Sequence, residues 1–250
     1  MPSLWIKSFY ALKNFRLAML DIFFPINCIS CRTENVWLCD TCAKKIKLRD
    51  QQVCPLCEKI ITPDGRICFA CKNKSPLAGM LVSTSYRDPI ISKAVHLFKY
   101  RFVENLSQPL SEIILKTMRN CELPLPDLVI PIPLHRRRLR WRGFNQSALL
   151  AKNIAKDLLP DLEIETSENI LIRKRYTPPQ MKIKNHSLRN QNVRDAFDIS
   201  DSLKIKDRRI LLVDDVTTTG STIFECARVL KKNGAKEVFA VVIARQEMAE

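Results

Sequence analysis

Glycine is scarce in this chain, with 5 residues among 250, and so is histidine, with 3. So little glycine excludes a collagen-like or glycine-rich low-complexity protein. No apolar run reaches the roughly 18 residues that would span a bilayer, so a transmembrane protein is not expected. A length of 250 residues allows one large domain or a small module joined to a medium one. Hydrophobic residues make up 46% of the chain and charged residues 27%, which is typical of a chain that buries a core and excludes a disordered one.

Residues 1–24 are apolar but interrupted by charged side chains at Lys7, Lys13, Arg16 and Asp21. They lack the apolar region and cleavage site of a signal peptide, so neither a signal nor an anchor is expected. Their spacing predicts an amphipathic helix that docks on the rest of the protein or, alternatively, lies on a membrane or a partner. The predicted location is the cytoplasm, with peripheral attachment to a membrane as the alternative.

Acidic residues are missing from two long windows, 128–156 and 169–194, and each window holds seven lysines and arginines. The whole chain carries 41 basic and 26 acidic residues, a net charge of +15. Without the fourteen basic residues of these windows, 27 basic residues would face 26 acidic ones. Such a concentrated surplus favours a polyanionic ligand, namely nucleic acid, nucleotide or pyrophosphate, over an ordinary solvated face.

Eight of the ten cysteines form four C-x-x-C pairs. The pairs are Cys28/Cys31, Cys39/Cys42, Cys54/Cys57 and Cys68/Cys71. Two such pairs complete a four-thiolate zinc site, and a chain without an export signal favours metal ligation over disulfides. Four thiolates leave no open position, which predicts structural zinc. Sequential pairing closes the shorter loops, while a cross-braced arrangement of first with third and second with fourth stays open.

Strands and helices alternate after residue 76. The predicted strands are 81–86, 128–132, 170–173, 210–213 and 238–244. The predicted helices are 89–99, 104–119, 145–159, 187–196 and 222–232. Continuous apolar runs are typical of parallel strands covered on both faces, so we predict a doubly wound α/β domain over 77–250, behind a zinc-binding module over 25–76. Ligands of such domains bind at the carboxyl ends of the strands.

Two carboxylates, Asp214 and Asp215, follow the buried strand predicted at 210–213, and a turn around Gly220 then opens a helix. Consecutive amides at a helix start can hold a phosphate, and paired carboxylates can accept bonds from ribose hydroxyls or meet Mg²⁺ through water. An Asp-capped strand-to-helix turn is the alternative interpretation. Hydroxyl donors are offered by Thr217, Thr218, Thr219, Ser221 and Thr222.

The segment 210–222 resembles the phosphoribosyl pyrophosphate signature of type I phosphoribosyltransferases. The wider chain is similar to the ComF/GntX family, which joins cysteine pairs to such a domain. The stretches 130–138, 142–146, 175–180 and 192–197 carry the same likeness. The resemblance implies a pocket for phosphoribosyl pyrophosphate with Mg²⁺, in which Asp214 and Asp215 are the catalytic candidates.

The resemblance also implies a pyrophosphate loop at 98–102, with Lys99 and Arg101 as phosphate contacts. It places a flexible hood over 173–194, where Arg175, Arg189 and Arg194 would close over a diphosphate. Whether the site turns over a substrate is left open.

ComF relatives are associated with natural transformation, in which single-stranded DNA crosses the inner membrane. An arginine-rich loop predicted at 135–142 contains Trp141, and arginines beside aromatic rings suit single strands. The alternative for Trp141 is simple packing. The predicted nucleic-acid contacts are Arg136, Arg137, Arg138, Arg140, Trp141, Arg142 and Arg175.

We therefore expect a ComF-like protein that handles single-stranded DNA during transformation. One alternative is an active Mg²⁺-dependent phosphoribosyltransferase that acts on a small nucleophile. Another is a zinc-based docking partner for inner-membrane DNA-uptake components.

Overall fold

The structure is a computed structural model that describes residues 26–177 and 191–246. The predicted helix at 1–24 lies outside these residues, as does the first part of the helix predicted at 187–196. The chain divides into two compact units between Lys45 and Ile46. Within the described ranges, no helix combines the length and the apolar character that crossing a bilayer would need.

The first unit contains the first two cysteine pairs, and its described part, residues 26–45, has little regular structure. Its helix α1 (Asp40–Ala43) follows the N-cap residue Cys39, and an isolated bridge joins Asn27 to Glu34. The sulfur-bearing side chains of Cys28 and Cys42 are fully buried. The twenty described residues of this unit, 26–45, are too few for a large core, so a bound metal would supply much of their folding energy.

The second unit is built on a four-stranded parallel sheet in the order β1-β6-β5-β2. Its fold confirms the predicted doubly wound α/β class. A separate antiparallel pair is formed by β3 and β4, of which only the first was predicted. The strands are β1 (Gly79–Ser85), β2 (Leu128–Pro131), β3 (Leu171–Arg173), β4 (Phe197–Ile199), β5 (Arg209–Thr217) and β6 (Glu237–Arg245).

Helices cover both faces of this sheet. Leu212 of β5 packs in one core cluster with Cys226 of the last helix, whereas its neighbour Leu211 is buried on the opposite face. Side-chain caps are found at the starts of several helices: Asp88 accepts from the amides of Ile90 and Ile91, and Asn145 accepts from the amide of Ser147. The helices are α2 (Pro89–Tyr100), α3 (Ser107–Arg119), α4 (Arg136–Arg142), α5 (Gln146–Asp157) and α6 (Ser221–Lys232).

The expectation of an arginine-rich loop at 135–142 is wrong, because these arginines form helix α4. His135 caps the helix by accepting a hydrogen bond from the amide of Arg137, at 3.2 Å. The sequence 136–142 contains no glycine or proline, and the helix ends at Gly143, whose φ of 78° suits glycine. The helical backbone therefore fixes the positions from which the arginine side chains of α4 extend.

The segment from Ile46 to Ala78 lies along the edge strand β1. The Gln52 side chain donates to the carbonyl of Val82 at 3.1 Å and accepts from its amide at 3.0 Å. Gly65 is required here, since a Cβ at this position would lie 2.2 Å from the carbonyl oxygen of Met80. This segment, called here the second cysteine module, thus covers an edge of the sheet that would otherwise expose unpaired backbone groups.

Candidate functional site

The eight paired cysteines form two clusters, Cys28/Cys31/Cys39/Cys42 and Cys54/Cys57/Cys68/Cys71, and within each cluster the sulfur atoms lie within 4.8 Å of one another. The pairing is therefore sequential, and the cross-braced alternative is not the one adopted. A tetrahedral zinc site with Zn–S bonds of about 2.3 Å separates its sulfur atoms by about 3.8 Å. The Sγ–Sγ distances of 3.5 Å for Cys31–Cys39 and 3.9 Å for Cys57–Cys68 fit this geometry.

Hydrogen-bond donors favour the thiolate form that zinc requires at one cysteine of each cluster, whereas burial and the neighbouring cysteines raise the pKa of Cys71 to about 12. The backbone amides of Lys59 and Ile60 lower the pKa of Cys57 to about 6. The hydroxyl and then the amide of Thr33 lower the pKa of Cys31 to about 6. With four sulfur ligands and no open position, these are structural zinc sites.

A cavity of about 150 Å³ lies at the carboxyl ends of β2 and β5. Asp214 and Asp215 lie in its wall because β5 continues through them to Thr217, beyond the predicted end at 213. The extension follows from β6, which pairs with β5 as far as Thr217 opposite Arg245. The remaining wall is formed by Tyr86, Lys99, Tyr100, Ile132, Leu134, Arg138, Arg142, Gln146, Ser147, Arg173, Val216, Thr217, Thr218, Thr222 and Gln246.

The two carboxylates are held by different partners. Asp214 accepts from the hydroxyl of Ser147 and from the amide of Asp215, both at 2.9 Å. Asp215 forms a 2.9 Å ion pair with Lys99, and the two side chains are only 8% and 17% exposed. Burial, and then the charge of Asp215, raise the pKa of Asp214 to about 7. Burial lowers the pKa of Lys99, but Asp215 and Asp214 outweigh it and raise that pKa.

Positive charge dominates the described wall, since Lys99, Arg138, Arg142 and Arg173 face only the two carboxylates. Burial, followed by the nearby Arg138 guanidinium, lowers the pKa of Arg173 to about 10. The mutual repulsion of these buried cations is relieved when a multiply charged anion enters.

Three buried donors of the wall lack a hydrogen-bond partner among the described residues. They are the Nε groups of Arg142 and Arg173 and the hydroxyl of Thr218. Buried polar groups in folded proteins are nearly always paired, so such a group indicates an absent ligand or water. Three of them around one cavity indicate an acceptor-rich ligand.

The residues of 217–222 that were predicted to bind phosphate line two different cavities. Thr217, Thr218 and Thr222 line the cavity, whereas Thr219 and Ser221 line a second cavity of about 600 Å³ and bond each other at 2.6 Å. Gly220 starts α6 with a φ of 77°, and a Cβ there would lie 3.0 Å from the ring of Phe224. Only some of the predicted hydroxyl donors therefore lie in the same cavity as Asp214 and Asp215.

The predicted pyrophosphate stretch 98–102 contributes only part of itself to the cavity. Phe98, Lys99 and Tyr100 belong to α2, and Lys99 reaches Asp215. Arg101 is exposed and is not part of the wall.

The predicted nucleic-acid contacts separate into four groups. Arg138 and Arg142 line the cavity, Arg137 and Trp141 line an adjacent groove, and Arg136 and Arg140 are exposed on α4. Arg175 instead donates to the carbonyls of Asn192 and Arg194, at 3.2 and 2.7 Å. Arg194 lies 3.9 Å from Asp195, and Arg189 falls outside the described residues.

Several wall residues were missed by the sequence analysis, above all Ser147, Arg173 and the loop residues Ile132 and Leu134. The loop follows β2, which is the neighbour of β5 in the sheet. Because carboxyl ends of parallel strands meet at one edge, the order of strands would have pointed to this loop. Arg173 depends on the β3–β4 pair, for which the sequence gives a weak signal.

Two family models match the chain, the phosphoribosyl transferase domain over residues 145–249 and the double zinc ribbon domain over residues 19–72. Among similar proteins, the DNA utilization protein YhgH of Salmonella typhi is 34% identical, over 80% of this chain and 87% of that protein. Competence protein F of Haemophilus influenzae is 30% identical, over 89% and 98%. Competence protein ComFC of Bacillus subtilis is 25% identical, over 79% of each.

Proposed function

The chain belongs to the ComF family of competence-related proteins and carries a phosphoribosyltransferase domain, and we propose that its cavity binds phosphoribosyl pyrophosphate. The observation that carries this proposal is the set of three buried donors without a described partner, on Arg142, Arg173 and Thr218, beside two carboxylates. The ligand supplies what each group needs, because its phosphates are acceptors and its ribose hydroxyls are donors.

Each part of the ligand has a matching part of the wall. The ribose hydroxyls would donate to Asp214 and Asp215, and the 5-phosphate would lie on the turn that ends at Thr222 and on the start of α6. The diphosphate would take the guanidinium groups of Arg142 and Arg173, which form charge-assisted bonds with phosphate oxygens. Mg²⁺ prefers carboxylate, phosphate and water oxygens. It would be held by the diphosphate and by Asp214 and Asp215, and it would offset the negative charge of the diphosphate.

Replacing Arg173 by glutamine tests the unpaired donors directly. Since a hydrogen bond to a charged group contributes about 1.5–3 kcal/mol, the affinity for phosphoribosyl pyrophosphate with Mg²⁺ should fall by about 10- to 150-fold in calorimetry. Arg119→Gln is the matched control, because Arg119 is exposed at the end of α3, is not a wall residue, and donates to the carbonyl of Asp157. Equal affinity in the Arg173→Gln and Arg119→Gln proteins would contradict the proposal, and so would an absence of binding in the unaltered protein.

We further propose that this protein handles single-stranded DNA during natural transformation. Two relatives bear the names DNA utilization protein and Competence protein F. Seven lysines and arginines and no acid lie within 128–156, and the exposed Arg136 and Arg140 of α4 belong to that window. Phosphate contacts by such side chains make binding strongly dependent on salt. Binding of a labelled oligonucleotide that is insensitive to salt would contradict this part of the proposal.

A further inference from the structure

A groove of about 400 Å³ adjoins the cavity, and its aromatic side chains are open to solvent. The exposed fractions are 38% for Tyr100, 59% for Trp141 and 42% for Tyr176. Large aromatic rings are normally buried, and exposed ones grouped in a concave surface mark a binding site. The groove, called here the aromatic groove, is lined by Tyr100, Arg137, Arg138, Trp141, Arg142 and Tyr176.

Arginines lie over the rings of this groove. The guanidinium carbons of Arg137 and Arg138 lie 5.6 and 5.7 Å from the ring centre of Tyr176, and that of Arg142 lies 5.5 Å from that of Tyr100. Tyr100 and Trp141 meet edge to face, with ring centres 6.2 Å apart. Flat surfaces flanked by cations suit a planar heterocycle that is attached to a phosphate.

The aromatic groove and the cavity share a wall. Tyr100, Arg138 and Arg142 line both of them. A ligand that fixes these side chains from one side therefore changes the surface offered on the other side. This arrangement makes the two sites partners in one binding equilibrium.

We infer that the aromatic groove binds one unstacked base of single-stranded DNA, and that this base and phosphoribosyl pyrophosphate bind with positive coupling. The inference rests on the proposed function of the cavity and names the DNA partner's position beside it. Charge selects a strand over a free base, because Arg136 and Arg140 lie exposed on α4 beside the groove residues Arg137 and Trp141 and can follow the phosphates. Duplex DNA is disfavoured, since its bases are stacked and paired.

The sign of the coupling follows from Arg142. A diphosphate that accepts from its unpaired Nε would hold the guanidinium in its position over Tyr100, and so order the groove wall in advance. The inserted base is uncharged, so it brings little repulsion to the shared wall. We expect phosphoribosyl pyrophosphate with Mg²⁺ to tighten binding of a single strand by about fivefold, at the lower end of common coupling.

Fluorescence anisotropy with a labelled oligothymidylate tests the groove. Because stacking on one aromatic ring contributes about 1–3 kcal/mol, Tyr176→Ala should weaken binding by about 5- to 150-fold. Phe69→Ala is the matched control, since that ring is 96% exposed and belongs to the second cysteine module. An oligonucleotide of the same length with abasic positions should bind as weakly as the variant does. Equal binding of the abasic and normal strands, or of the Tyr176→Ala and Phe69→Ala proteins, would overturn the inference.

The same titrations separate this inference from the proposed function. Tyr176 is not part of the cavity wall, so Tyr176→Ala should still bind phosphoribosyl pyrophosphate in calorimetry. Failure of the unaltered protein to bind phosphoribosyl pyrophosphate would refute the proposed function and with it the coupling, whereas binding of a base in the aromatic groove is tested by the strand titrations alone. Strand affinity that is unchanged or reduced by the saturating ligand would refute the coupling, and thymine or thymidine binding as tightly as the strand would assign the groove to a small molecule instead.

Discussion

Replacing Cys54 by serine is expected to remove the zinc ion of the second cluster and to lower the free energy of unfolding of the sheet unit by on the order of 5 kcal/mol. Structural zinc contributes about 10–16 kcal/mol at neutral pH, and serine is a poor zinc ligand. Cys54 is fully buried in a small cluster with Cys68 and Cys71. Because the module lies along β1, its loss also exposes the edge strand.

Two measurements check this result, namely zinc released to a chromophoric chelator and denaturant unfolding followed by circular dichroism. We expect one zinc ion per chain instead of two, since Cys54 belongs to only one cluster. Cys121→Ser is the matched control, because Cys121 lies outside both clusters and is only partly buried. If the Cys54→Ser protein lost its zinc but unfolded at the same denaturant concentration, the module would not support the sheet.

The Cys54→Ser change should also affect the cavity, because Arg245 connects the second cluster to the cavity wall. This side chain, 4% exposed at the end of β6, donates to the carbonyl of Thr218 at 2.9 Å and pairs with Glu58 beside the second cluster. Zinc bound at the second cluster would thereby help to position Thr218, a wall residue of the cavity.

Replacing Lys99 by methionine is expected to destabilise the protein by about 3–5 kcal/mol at pH 8, because it leaves the buried carboxylate of Asp215 unpaired. The loss should shrink as the pH falls. Burial, and then the charge of Asp215, raise the pKa of Asp214 to about 7, and Lys99 opposes that rise, so without the ammonium group the pKa of Asp214 lies still further above its unfolded value. A carboxyl whose pKa is raised by folding lowers the stability as the pH rises from its unfolded pKa to its folded pKa, so the variant loses stability between pH 5.5 and pH 8.

Unfolding curves at pH 5.5 and pH 8 give the comparison, with Lys116→Met as the control. Lys116 is exposed on α3, and its replacement should cost less than about 0.5 kcal/mol at either pH. A destabilisation by Lys99→Met that is equal at the two pH values would show that packing, not charge, is what Lys99 provides.

The sequence predicted the elements with strong apolar patterns. The runs at 128–132, 210–213 and 238–244 form neighbouring strands, because such runs are stable only where both faces are covered. The four C-x-x-C pairs likewise predicted metal sites, since spacing alone brings each pair of thiolates together. Helix α4 was not predicted from the sequence. A loop was inferred from the run of arginines, although 136–142 contains no glycine or proline that would break a helix.

The wall of the cavity depends on tertiary structure, which local patterns do not encode. Ser147 reaches Asp214 only because α5 starts beside the end of β5, and Arg173 reaches the cavity from a two-stranded pair far along the chain. The alternation of Thr218 and Thr219 between two cavities follows from the backbone of the turn around Gly220. The sequence did predict Asp214 and Asp215 as site residues, because two carboxylates that follow a buried strand are a strong local signal.

A crystal structure of this protein grown with phosphoribosyl pyrophosphate and Mg²⁺ tests the central claim most directly. We predict ribose hydroxyls within hydrogen-bond distance of Asp214 and Asp215, and phosphate oxygens on the Nε groups of Arg142 and Arg173 and on the hydroxyl of Thr218. Electron density for the ligand at another place, or these donors bonded to protein groups while the cavity holds only water, would contradict it.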